Sequence, residues 1–256
     1  MAVHNTSIFR QGLHAGLLLA LTCTSVNAAA PASPAAQSPR AAAPIDLAGQ
    51  WVAIINEEWR WRMVTPPRGD YASVAAVMSA EGRRVAGEWS PADDGSCKAY
   101  GAAGLMRLPL RVRISWEGEN VLKLETDAGQ QVRRLRFDAS AAAGAPSLQG
   151  HSLAQWERTL RPPGGGGGGA AAPEGGSLLV RTSNLSPGWL RRNGVPYGDK
   201  ATVTEYFDRF KTPAGAEWFV VTTVVEDPVY LTGRFITSSN FRREPDNSKW
   251  FPKACK

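Results

Sequence analysis

His151 is the residue in this chain best suited to move a proton near neutral pH. Of three histidines, His4 and His14 stand within the first 28 residues and His151 alone lies beyond them. A histidine base needs a nucleophile in hydrogen-bond reach and an acid to orient it. Ser152 is adjacent, but neighbours on a strand point to opposite faces. Gly150-His151-Ser152-Leu153-Ala154 also lacks the Gly-x-Ser-x-Gly turn that exposes a hydrolase serine. A hydrogen-bonded structural histidine is the expectation, with a ligand contact and a hydrolase-like base as alternatives.

Other chemistries are weaker on residue types. Glu205, Asp208, Glu226 and Asp227 are carboxylates on neighbouring segments, but a turn at Thr212–Gly215 puts Asp208 and Glu226 far apart. That spacing gives no glycosidase pair, and solvated faces are expected. Six glycines, Gly164–Gly169, would need a Lys-Ser/Thr pair after them to cradle phosphate; Ala170-Ala171-Ala172-Pro173 follows instead. With one histidine and no Asp-x-Asp-x-Asp-Gly loop, no metal or other cofactor is expected.

Side chains suited to binding are more frequent. Glu57-Glu58-Trp59-Arg60-Trp61-Arg62-Met63 reads as a strand with Trp59, Trp61 and Met63 on one face and Glu58, Arg60 and Arg62 on the other. That is an amphipathic core strand or an aromatic wall rimmed by arginine, the pair of types favoured at interfaces. Nine tryptophans suit a thick core or a site that stacks flat ligands. Trp189 lies in a Pro/Gly-rich loop, harder to assign to a core. The candidate ligand-binding residues are Trp59, Arg60, Trp61, Arg62, His151, Trp156 and Trp189.

Compartment and charge limit the partners. Arg10, the apolar run Ala15–Leu21 and the small residues before Ala29 read as a signal peptide cleaved after Ala28. Lipidation of Cys23 is the alternative, with Thr22 a poor residue before it. Cleavage leaves 228 residues, moves the net charge from +6 to +5, and retains Cys97 and Cys255. In a periplasmic or secreted setting these two are expected to pair. The loop closed would be about 160 residues, worth on the order of 5 kcal/mol at most in the chain-entropy model. Two free thiols as a redox or metal pair are the alternative, without a CxxC spacing. The basic residues are scattered among acids, which argues against nucleic acid. After the leader no apolar run approaches the ~20 residues that span a bilayer.

The elements that must position these residues are mostly strands. Ala29–Pro44 is an Ala/Pro-rich leader expected to be disordered, and a single domain is expected over residues 45–256. Val112, Ile114 and Trp116 alternate with polar residues, and tight turns lead to Leu122–Thr126 and Val132–Phe137. Arg133, Arg134 and Arg136 on the last of these suggest a solvent face. Ser152–Thr159, Leu178–Thr182, Thr202–Phe210, Glu217–Glu226 and Phe235–Arg242 also read as strands, and Pro162–Gly176 as a flexible hairpin loop. Only Met78–Trp89 reads as a helix, with Ser79 as N-cap. The predicted class is all-β, mainly antiparallel and barrel-like, with one short helix.

Two resemblances bear on this. Gly49-Gln50-Trp51 resembles the opening Gly-x-Trp of lipocalin-type (calycin) barrels, which implies a calycin-like barrel. Gly150-His151-Ser152, Trp156-Glu157, Leu178-Leu179-Val180-Arg181-Thr182, Gly194-Val195-Pro196-Tyr197, Val203-Thr204-Glu205-Tyr206, Glu226-Asp227-Pro228 and the late Cys255 are similar, in order, to a family of secreted bacterial β-rich proteins. The glycine tract is an insertion relative to that family. This resemblance implies a secreted β fold and no chemistry. The leading expectation is a periplasmic or secreted binding module for a small apolar or aromatic ligand in the barrel mouth. An envelope protein-interaction module and a hydrolase built on His151 are the alternatives.

Overall fold

The computed structural model describes residues 37–92, 97–158 and 175–255, which belong to one compact unit beginning at Gln37. The expected signal peptide, the expected leader through Ala36, Asp93-Asp94-Gly95 and the six glycines lie outside the described residues. The elements in chain order are β1 (Gly49–Ile54), α1 (Trp59–Met63), α2 (Ala80–Glu88), α3 (Ala102–Leu105), β2 (Arg111–Glu117), β3 (Val121–Thr126), β4 (Ala128–Gly129), β5 (Val132–Arg136), β6 (His151–Arg158), β7 (Gly176–Ser183), β8 (Gly188–Arg191), β9 (Val195–Tyr197), β10 (Thr202–Lys211), β11 (Glu217–Glu226), β12 (Phe235–Glu244) and β13 (Lys253–Ala254).

Nine strands close a barrel in the order β1-β12-β11-β10-β7-β6-β5-β3-β2. An odd number of strands cannot alternate direction all the way round, so a parallel pair is required somewhere. It falls between β5 and β6, where Leu135 faces Ser152, and the other ring neighbours are antiparallel. Residues 137–150 carry the chain back along the barrel to make it. The all-β, barrel-like class expected from the alternation is the observed one, and β11 (EWFVVTTVVE), between β10 and β12, buries one face and leaves the other half-buried.

Side chains fill the interior. Trp51 meets Phe219 edge-on with centroids 4.9 Å apart, and Phe219 stacks on Phe241 at 4.6 Å and lies 5.9 Å from Phe207. On the capped side of the interior two charges face inward. Arg133 donates to Glu205 at 3.1 and 2.6 Å and to Thr182 Oγ1 at 3.2 Å, and both ionic side chains are fully buried. This corrects two expectations. Glu205 is not on a solvated face, and of the arginines on β5 only Arg134 and Arg136 turn outward. Strand parity explains both: Glu205 shares its face with Val203 and Phe207, and Arg133 shares its face with Leu135.

The two ends of the barrel differ. One is capped by residues 55–110 and 184–201, which carry α1–α3 and the β8–β9 hairpin around a second apolar cluster that includes Val74, Leu190, Val195 and Tyr197. The α2 helix matches the expected helix, with Ser79 Oγ accepting from Gly82 N at 2.9 Å. The short α1 and α3 were not expected. A Cys97–Cys255 disulfide, Cα atoms 5.3 Å apart, ties the chain's last residues to this cap, where β13 pairs with β4. The opposite end carries the 212–215 turn, the start of β1, the end of β6 and the start of β7.

Candidate functional site

At the uncapped end, Ser38–Pro44 does not behave as the tail of a disordered leader. Ser38 Oγ donates to Glu119 Oε2 at 2.6 Å, Pro39 O accepts from Trp156 Nε1 at 2.7 Å, and Ala42 O accepts from Arg158 Nη2 at 2.7 Å. The segment crosses this end because strand termini offer it polar partners that a composition-based reading does not see. Gly176 lets it sit close: a Cβ there would lie 2.8 Å from Pro44 Cγ and 2.2 Å from Glu157 O.

Between this segment and the end of β10 lies a cavity of about 640 Å³. Trp116 and Phe210 supply its aromatic surface, Pro44 and Ile45 further apolar surface, and Arg40, Arg209 and Lys211 its positive charge, against the one lining carboxylate, Asp46. Trp116 is held by a stack, 5.7 Å from Phe137, which lies 5.3 Å from Trp156. Phe210 stacks on Trp218 at 6.5 Å with 12° between the planes.

Arg40 lies 3.5 Å from Glu119, whereas Arg209 and Lys211 are positioned by a different carboxylate. Glu217 accepts from Arg209 at 2.8 Å and Arg243 at 2.9 Å, and Lys211 Nζ lies 3.0 Å away. The Lys211 hydrogen bond, then Arg209 and Arg243, hold Glu217 down at about 2 against the opposing effect of burial. Three cations on one carboxylate leave net positive charge, and the buried Nε of Arg209 has no partner of its own. The arrangement suits an acidic group beside a flat apolar body.

Compared with protein-family models, with curated proteins and with solved structures, the chain finds no match. The site is therefore argued from its own geometry.

The seven residues expected to bind ligand do not form one site. Trp156 belongs to the aromatic stack at the uncapped end. Trp59–Met63, expected as a strand, is the short helix α1 at the capped end. Its register buries Arg62 and leaves Trp59 63 % exposed, the reverse of the expected aromatic-in arrangement. Trp61 donates to Asp70 Oδ1 at 2.7 Å, and Arg60 lies 5.5 Å from the Trp61 centroid. Trp189 is on β8 rather than in an open loop, with Lys98 Nζ 5.1 Å from its ring. His151 opens β6 opposite Ser183, while Ser152 faces inward and shares a 2.8 Å hydrogen bond with Thr182, so the two do point apart.

Arg62 joins a group that the sequence reading missed. Its Nε donates to Arg107 O at 2.8 Å and its Nη2 to Ser239 Oγ at 3.2 Å. Arg107 and Arg191 both pair with Glu58, Arg191 at 2.7 Å, and both stand over the Phe235 ring, 5.9 and 5.6 Å from its centroid. Glu58 holds these contacts from a left-handed backbone conformation, φ 44°. Its carboxyl lies at about 2: burial raises it, but the hydrogen bonds of Ser73 and Arg191 and the charges of Arg191 and Arg107 outweigh that. Nothing local in the sequence marks this group: Arg107 and Arg191 stand 49 and 133 residues from Glu58.

Proposed function

We propose that this protein is a non-catalytic periplasmic or secreted binding module that holds a small ligand, an aromatic or apolar body bearing an acidic group, at the uncapped end of the barrel. The observation that carries this reading is the 640 Å³ cavity, in which the Trp116 and Phe210 rings stand beside Arg40, Arg209 and Lys211. The packed rings of the interior favour a shallow site at the rim over an enclosed cargo chamber. The leader and the Cys97–Cys255 bridge support an oxidising compartment.

Calorimetric titration with 3-phenylpropionate against the neutral 3-phenylpropanol tests it. The acid binds saturably and about tenfold more tightly than the alcohol, roughly 1.4 kcal/mol. Trp116→Ala weakens both, and Lys211→Gln weakens the acid alone. Absence of saturable heat for the acid, or equal affinity for acid and alcohol, would defeat the assignment.

A second reading, an envelope protein-interaction module, rests on α1. Trp59, Met63 and Val64 are exposed there, beside a groove of about 340 Å³ lined by Val52, Ile54, Ile55 and Leu110. A photo-crosslinker placed at Trp59 in the producing cell would mark such a partner. One at Phe210 would mark the small ligand instead.

A further inference from the structure

The capped end carries more positive charge than its carboxylates answer. Arg62, Arg107 and Arg191 are each at least nine-tenths buried. Glu58 is the carboxylate that hydrogen-bonds within the group. Glu57 sits at the rim, its side chain 49 % exposed, 3.6 Å from Arg62 Nη1 and 3.7 Å from Arg107 Nη1, beyond hydrogen-bond length. Four buried donors in the group lack a partner: Arg62 Nη1, Arg107 Nε, and Nε and Nη1 of Arg191. Unpaired buried donors on charged groups are costly. The repulsion is only partly relieved as well: burial, then Arg191 and Arg62, push Arg107 down to about 10 against the opposing pull of Glu58 and Glu57.

We propose that this cluster is a binding site for a phosphate group, which enters where Glu57 now stands between Arg62 and Arg107. With Glu57 turned into solvent, three guanidiniums and Glu58 leave a charge of +2, which a phosphate dianion neutralises. Planar guanidiniums with free donors match tetrahedral oxyanions. The Phe235 ring beneath Arg107 and Arg191, and Ser239 on Arg62, hold the guanidiniums in place before any ligand arrives. This site is at the other end of the barrel from the cavity of the proposed function and does not depend on it.

The test is calorimetric titration of the full chain with inorganic phosphate, and with methyl phosphate for a phosphate carried on a larger molecule, at ionic strength held constant with chloride. Wild type binds phosphate saturably, and Glu57→Gln, which removes a competing carboxylate at an exposed position, tightens it five- to tenfold. Arg62→Met abolishes binding; if that variant does not fold, wild type and Glu57→Gln still decide. Tighter binding of methyl phosphate than of phosphate identifies the monoester as the preferred form of the same ligand. No saturable binding in either protein, equal affinity in both, or loss of binding in Lys211→Gln at the other end would overturn the proposal.

Discussion

The two ends of this barrel are closed in different ways. The capped end is covered by two long excursions of chain with their own apolar cluster, and its charges are buried arginines around Glu58. The uncapped end is covered by an aromatic stack and one short N-terminal segment, and its charges converge on the exposed side of Glu217. The difference teaches where each kind of binding fits: a buried, preorganised charge cluster suits a small compact anion, whereas a shallow aromatic rim suits a flat ligand. Inside the barrel, on the capped side, Arg133 of β5 and Glu205 of β10 match one for one.

The largest expected effect tests whether this buried pair serves both ends. Removing one partner of a fully buried ion pair strands the other, at about 3–5 kcal/mol. Glu205→Ala should therefore lower the urea midpoint strongly, and the aromatic signals of both ends should move in a single transition. Arg133→Met combined with Glu205→Leu should recover most of the loss. Two separated transitions in wild type would mean that the ends are independent and the buried pair does not couple them.

A smaller effect separates the ends. Glu58→Gln removes the carboxylate shared by Arg107 and Arg191 and should cost about 2–3 kcal/mol, as hydrogen bonds to charged groups do. The pH dependence follows from its depressed carboxyl, about 2 in the folded protein against 4.5 ordinarily. A depressed carboxyl stabilises fully above the unfolded value and loses that contribution as pH falls from 4.5 towards 2. The deficit of Glu58→Gln should be full at pH 7 and shrink steadily below 4.5. Glu217, also at about 2, keeps contributing at the uncapped end in that variant, so some acid sensitivity persists. Parallel urea midpoints of wild type and variant from pH 7 to pH 2.5 would contradict this.

How much of this was legible in the sequence divides along the same line. Alternation located the barrel strands because inside and outside alternate along each of them, and Ser79 marked α2 because a serine N-cap is a local device. Nothing local marked the Arg133–Glu205 pair: the residues are 72 apart, and each reads as a surface charge on its own strand. The parity of Val203, Glu205 and Phe207 did carry the signal, since a charge in phase with two core residues must either face inward or break the strand. In α1 the signal misled. Four residues of alternating tryptophan and arginine, Trp59–Arg62, fit a strand, and only the reach of Arg62 to Arg107 O and Ser239, distant in sequence, decides for a helix. The docking of Ser38–Pro44 was hidden because an Ala/Pro-rich stretch has no apolar face of its own and borrows Trp156, Arg158 and Glu119.

That borrowing makes the smallest prediction the most local one. Trp156→Phe keeps the ring against Phe137 but removes the donor to Pro39 O, a neutral hydrogen bond worth about 1 kcal/mol. Global stability should fall by no more than that. The change should be concentrated in the segment: the amides of Ala41 and Ala42, which bond to Ser38 Oγ and Ser38 O, should exchange about five- to tenfold faster, while amides of β10 and β11 keep their protection. Because Pro44 lines the cavity beside Trp116, the same variant should weaken binding of 3-phenylpropionate several-fold. Unchanged exchange at Ala41 and Ala42 would mean that Ser38 and Arg158 hold the segment without the tryptophan. The wall of the cavity would then be more firmly built than the single indole bond implies.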